Sequence, residues 1–125
     1  MILVDTSVWI DHFRRGDALL ERSLEQGAVL AHPFVIGELA CGNLGRREVV
    51  LDLLRQLPAA LAADDEEVLG FIDRHDLHGQ GIGLVDVHLL ASTLLTEGAR
   101  LWTRDRRLLL TAVRLDCGFH EVASR

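Results

Sequence analysis

Residues 1–10, Met1-Ile2-Leu3-Val4-Asp5-Thr6-Ser7-Val8-Trp9-Ile10, decide the fold. The opening apolar run is partly β-branched and too short for a helix, so it reads as a buried strand. The pattern changes at Asp5. Thr6 or Ser7 can cap a helix that runs to about Arg15, where Gly16 stops it. A buried strand that turns within two residues into a helix is the repeating unit of an α/β sheet. It also leaves Asp5 at the C-terminal end of a strand, where open parallel sheets build their sites.

The rest of the chain continues the alternation. Asp17 opens a helix whose Leu19, Leu20 and Leu24 share a face and which Gly27 ends; Ala28-Val29-Leu30-Ala31 is a second short strand. Pro33 suits a first helical turn, and that helix carries Glu38 before Gly42. Val50, Leu53, Leu54 and Leu57 recur at i, i+3, i+4, i+7, which predicts an amphipathic helix over 46–57 that Pro58 stops. Asp64 to Glu67 open another helix with Val68, Leu69 and Ile72 facing inward. The uncharged, Gly-rich loop 79–83 leads into a helix from about Leu84 or Val85 to Glu97, apolar nearly all round and therefore buried. Arg100 to Thr103 is a third strand, 105–113 a helix, and Phe119 to Val122 a possible last strand. Strands separated by helices of this length imply a parallel sheet with helices on both faces, an α/β three-layer sandwich formed by residues 1–125 as one domain.

The bulk composition narrows the function. Hydrophobic residues make up 49% of the 125, and Pro is scarce, so a packed core is expected. No apolar run is long enough to span a membrane, the N-terminal run lacks the basic flank of a signal peptide, and the two cysteines form no metal-binding pattern. A reduced, cytoplasmic protein is the expectation. The net charge of −6 argues against nucleic acid, but its distribution softens that. All thirteen basic residues are Arg, clustered at Arg14-Arg15, Arg46-Arg47 and Arg104 with Arg106-Arg107, and the planar guanidinium fork suits phosphate.

Four acidic residues sit among apolar neighbours: Asp5, Glu38, Asp86 and Asp105. Asp5 and Asp105 close strands, Asp86 lies in the first turn of a helix, and Glu38 lies about one turn into another, so all four can face one edge of the sheet. Gathered at about 5 Å with an effective dielectric of about 20, each pair repels by roughly 3 kcal/mol. A cation reverses that sign. Carboxylates with no Cys and no required His select a hard ion, Mg²⁺ or Mn²⁺, over zinc, and such an ion orients a phosphodiester and activates a water.

Val4-Asp5-Thr6-Ser7-Val8-Trp9-Ile10, Gly37-Glu38-Leu39, Val85-Asp86 with Leu89-Leu90-Ala91, and Leu101-Trp102-Thr103-Arg104-Asp105 together resemble the PIN-domain proteins, specifically the VapC-type toxins of prokaryotic toxin–antitoxin pairs. The likeness covers nearly the whole chain, in family order and spacing. It implies a Mg²⁺- or Mn²⁺-dependent endoribonuclease, usually a homodimer, inhibited by a small antitoxin. By motif position Asp5, Glu38, Asp86 and Asp105 are the acidic quartet, Glu38 reaching the metal through water, and Ser7 and Thr103 are hydroxyls that support it. Leu108 stands where the family commonly has an aromatic, which reads as a packing change. An alternative from another class is a catalytically silent module that acts with its antitoxin as a DNA-binding co-repressor.

Other features have plainer readings. Asp64 to Glu67 cap a helix and complement its dipole. His75 and His78 lack a partner pair for zinc. Gly79, Gly81 and Gly83 follow no strand and precede no Lys, so they form a turn rather than a phosphate cradle. Trp9 and Trp102 read as core or dimer contacts. A receiver-type site lacks its Lys, and a haloacid-dehalogenase-type site lacks its second Asp, because Ser7 holds that position.

Overall fold

The computed structural model describes residues 1–121. Three strands, β1 (Ile2–Val4), β2 (Val29–Leu30) and β3 (Arg100–Trp102), form one parallel sheet in the order β2-β1-β3. Central β1 pairs Ile2 with Val29 and Arg100, Leu3 with Leu30 and Leu101, and Val4 with Trp102. Leu3, Val4, Leu101 and Trp102 are fully buried. Consecutive burial explains why these strands are apolar at successive rather than alternate positions.

Around the sheet, among the described residues, lie seven helices: α1 (Thr6–Arg15), α2 (Ala18–Glu25), α3 (Pro33–Cys41), α4 (Arg47–Gln56), α5 (Asp65–Arg74), α6 (Leu84–Leu95) and α7 (Arg106–Arg114). α1 packs on α3, α3 on α4, and α6 on both α5 and β3. This is the α/β architecture that the alternation of strands and helices implied. No helix among the described residues is long and apolar enough to cross a membrane. Trp9 and Trp102 are core residues, and Cys41 and Cys117 are unpaired.

Several elements depart from the pattern reading. The cap of α1 is Asp5 itself, accepting from the Thr6 N–H at 2.8 Å, rather than Thr6 or Ser7. Beyond Leu30 the second strand shrinks to one parallel bridge, Ala31 to Ala59. The last strand is likewise a single bridge, Leu101 to Gly118. Phe119 continues it with one N–H bond to the Leu101 carbonyl at 2.8 Å, and Val122 lies outside the described residues.

Two helical faces are rotated from expectation. In α5 the buried pair is Val68 and Phe71, while Leu69 is 59% exposed. Adjacent helical residues lie about 100° apart, and with Val68 and Phe71 turned to the core Leu69 falls on the outer side of the helix. In α4 the core takes Leu51 and Leu54, leaving Leu53 exposed. Val50, Leu53 and Leu57 instead line an apolar groove of about 280 Å³ with Trp9 and Phe13. The i, i+3, i+7 stripe is real, but it faces an open groove.

Candidate active site

Parallel strands bring the ends of β1 and β3 to the same edge. The Asp5 N–H donates to the Trp102 carbonyl at 2.9 Å, which places Asp5 beside Thr103. Asp5 is buried, and its carboxylate is saturated from its own side of the site. Oδ1 accepts from the Thr6 N–H at 2.8 Å; Oδ2 accepts from Ser7 Oγ at 2.8 Å and Thr103 Oγ1 at 2.7 Å. Both hydroxyls are fixed in turn, because Ser7 Oγ accepts the Arg104 N–H and Thr103 Oγ1 the Asp105 N–H, each at 3.0 Å. The two hydroxyls picked out by sequence therefore hold Asp5 from behind.

The other three carboxylates are anchored by single bonds. Asp105 is the N-cap of α7, accepting from the Leu108 N–H at 3.0 Å. Asp86, in the first turn of α6, accepts from the Gly83 N–H at 3.2 Å. Glu38, exposed on α3, accepts from Thr6 Oγ1 at 2.6 Å. Asp5, Asp86 and Asp105 thus sit at the N-termini of α1, α6 and α7, where the helix macrodipole and unpaired N–H groups favour negative charge. That is how the fold tolerates acidic residues along one edge. Their proximity registers on Asp86. Burial raises its carboxyl above the ordinary value, and the charges of Asp5, Asp105 and Glu38 push the same way, against the Gly83 N–H.

The donor set is all oxygen, the chemistry of Mg²⁺ or Mn²⁺. Among the described residues no three acidic, His or Cys side chains converge closely enough to form a ligand cage. Mg²⁺ does not need one: it keeps several waters and binds through one or two carboxylates plus substrate phosphate. The residues fit such an ion as an open, partly hydrated site.

The arginines divide. Arg104 is committed to protein: its guanidinium pairs with Asp11 at 2.9 Å, Asp17 at 2.5 Å and Glu121 at 2.8 Å, and lies over the Trp102 ring. Of the arginines expected at RNA, Arg104 is the one held by three carboxylates. The Arg104 hydrogen bond draws the Asp11 carboxyl down; at Asp17 burial opposes, and the Arg104 and Leu20 hydrogen bonds prevail. Arg15 pairs with Asp11 at 3.4 Å, and Arg47 donates to the Ala40 carbonyl at 3.0 Å. Arg107 covers Gly81 in the loop before Asp86. There φ is +76°, and an added Cβ would fall 2.5 Å from the Arg107 Nη1, so the glycine serves both turn and packing. Arg14, Arg46 and Arg106 are exposed.

Sequence reading missed Thr6, which ties Glu38 to the β1–α1 turn, and His32. His32 is buried; its Nδ1 accepts from the Phe34 N–H at 3.0 Å, capping α3, and its Nε2 lies 3.0 Å from Ser92 Oγ on α6. One imidazole therefore links the helix of Glu38 to the helix of Asp86. Position before Pro33 was the available signal, but His is not among the usual capping residues. Burial, helped by the charge of His88, draws its pKa down from 6.5 to about 4. The ring stays neutral and donates Nε2–H to Ser92. Because the unfolded chain takes up this proton at higher pH than the folded one, stability falls as pH drops from 6.5 toward 4. The loss from this group is at most about 3 kcal/mol. His32→Asn keeps a capping acceptor and should flatten that part of the pH profile, as read by urea melts at pH 7 and pH 4.5.

The PIN domain family model matches residues 2–113. The chain is also 52% identical over 108 residues to Ribonuclease VapC32 of Mycobacterium tuberculosis, in strains CDC 1551 / Oshkosh and ATCC 25618 / H37Rv, covering 86% of this chain and 87% of each relative.

Proposed function

Because the chain belongs to the PIN-domain family, among the VapC-type ribonucleases, we propose that it is a metal-dependent endoribonuclease, the toxin of a type II toxin–antitoxin pair, cleaving RNA phosphodiester bonds in the cytoplasm. The observation that carries this reading is the acidic edge, where Asp86 feels the charges of Asp5, Asp105 and Glu38. Asp5, Asp86 and Asp105 would hold Mg²⁺ or Mn²⁺, with Glu38 acting through water. Held by these carboxylates, a divalent ion would supply the Lewis-acid chemistry that orients a phosphodiester and activates a water. The chain's own part is positional. Ser7 and Thr103 keep Asp5 aimed, the α6 and α7 N-termini hold Asp86 and Asp105, and Thr6 holds Glu38 at the rim.

The protein partner of this reading is a small antitoxin that covers the site and extends an Arg or Lys to the carboxylates, since Arg pairs with them bidentately. A homodimer belongs to the same reading, and the exposed Leu94 and Leu95 at the end of α6 are available to it. Expression of the chain alone should arrest growth, and co-expression of the antitoxin should restore it. Mapping of RNA ends after induction reports the activity directly. Soluble, folded protein that neither arrests growth nor yields new RNA ends would favour the co-repressor alternative.

A further inference from the structure

Glu38 faces more than the metal edge. It also lines a groove of about 430 Å³ between the C-terminal half of α1, α3 and the loop that joins α3 to α4. Ile10 and Phe13 supply apolar surface, Arg14 a cation, and Asn43 and Leu44 the loop side. Phe13 is 38% exposed, yet its ring is fixed by stacking on Trp9, with centroids 5.7 Å apart and planes 25° apart. Among the described residues Arg14 has no ion-pair partner, whereas Arg15 and Arg104 are paired. Gly42 and Gly45 bring the loop close along the groove. Arg46 and Arg47 follow Gly45 directly in the chain.

We propose that this groove is a nucleotide subsite, seating one unstacked base of single-stranded RNA against Phe13 and Ile10 with the adjoining phosphate on Arg14. The assignment rests on the ribonuclease reading and extends it to where substrate lies. Single-stranded RNA is recognised by stacking on aromatic side chains, hydrogen bonds to base edges, and Arg at the backbone. This groove has one of each: a stacked ring, the Asn43 amide, and the Arg14 guanidinium, which has no ion-pair partner among the described residues. The apolar groove on the other side of Phe13, lined by Trp9, Val50, Leu53 and Leu57, offers no such polar set. Because the nucleotide groove shares Glu38 with the acidic edge, a base held there places its neighbouring phosphodiester next to the carboxylates.

The test separates binding from cleavage. A fluorescein-labelled pool of random single-stranded dodecaribonucleotides is titrated by anisotropy against Asp86→Asn protein and against the same protein carrying Phe13→Ala, Ile10→Ser or Arg14→Ala. Loss of one stacked base should weaken Kd about five- to a hundredfold in Phe13→Ala. Arg14→Ala should lower the slope of log Kd against log salt by about 0.7, one phosphate contact on a single strand. Phe13 borders both grooves and stacks on Trp9, so Ile10→Ser, at a half-exposed position of this groove alone, guards against a folding effect; it should also weaken Kd. In the cleaving protein the Phe13 and Ile10 changes should raise KM more than they lower kcat. Groove-dependent binding by a protein that fails to cleave would support the subsite while removing the ribonuclease reading. Unchanged RNA affinity and salt slope in all three variants would overturn the subsite, and so would loss of antitoxin rescue with RNA affinity intact, which would assign the groove to the protein partner.

Discussion

Asp86→Asn lowers RNA cleavage by roughly a thousandfold and leaves the protein folded. Removing one carboxylate from a metal edge forfeits several kcal/mol of transition-state stabilisation, and each 1.36 kcal/mol is about tenfold in rate. Asp86 is the right place to make the cut. Its carboxylate accepts one hydrogen bond, from the Gly83 N–H, which an Asn side-chain oxygen can also accept. Asp105→Asn should behave alike, because Asn is as good an N-cap as Asp. Asp5→Asn is a poorer control. Asp5 accepts from a backbone N–H and two hydroxyls that already accept other backbone N–H groups. An amide nitrogen there meets donors and costs about 1–3 kcal/mol of stability. Cleavage rates on a defined RNA, with Mn²⁺ and with EDTA, and melting curves in parallel check both halves. Undiminished cleavage by Asp86→Asn would remove that residue from the site.

A divalent ion raises the melting temperature of the wild-type protein by roughly 5–15 °C when present at about one hundred times its Kd. At that concentration linkage supplies about 2.7 kcal/mol, and a domain of this size converts it to that shift. Asp86→Asn should shrink the response. Without metal the same variant should be at least as stable as wild type at pH 7. The sign follows from the raised carboxyl: folding makes Asp86 harder to ionise, so the native state is penalised where the group is charged. As pH falls and Asp86 takes up its proton, the two proteins should converge. The gain is limited because three of the four carboxylates already rest on helix N-termini, which offset part of the repulsion. Melts of both proteins with EDTA and with Mn²⁺ decide the point. Equal metal responses would mean that Asp86 does not share the site.

What the sequence determined by itself was everything carried by local pattern. Ile2 to Val4 and Leu101-Trp102 are apolar at consecutive positions in runs too short for a helix, as a strand buried on both faces requires, and Gly16, Asp17, Pro33 and Asp64 punctuate the helices at the expected places. The ends of those strands, with the acidic residues beside them, were legible for the same reason: in a parallel sheet, position in the chain implies position in space. Tertiary structure decided what depends on neighbours remote in sequence. Leu53 and Leu69 match a helical stripe, but which stripe meets the core depends on how the helix is laid against the sheet, and these two face outward. Arg104 reads as a phosphate ligand in its cluster, and only the approach of α1, the α2 cap and the C-terminal segment surrounds it with Asp11, Asp17 and Glu121. Thr6 under Glu38 and His32 between α3 and α6 are likewise products of packing: a hydroxyl and an imidazole have no preferred partner until the fold brings one within hydrogen-bond reach.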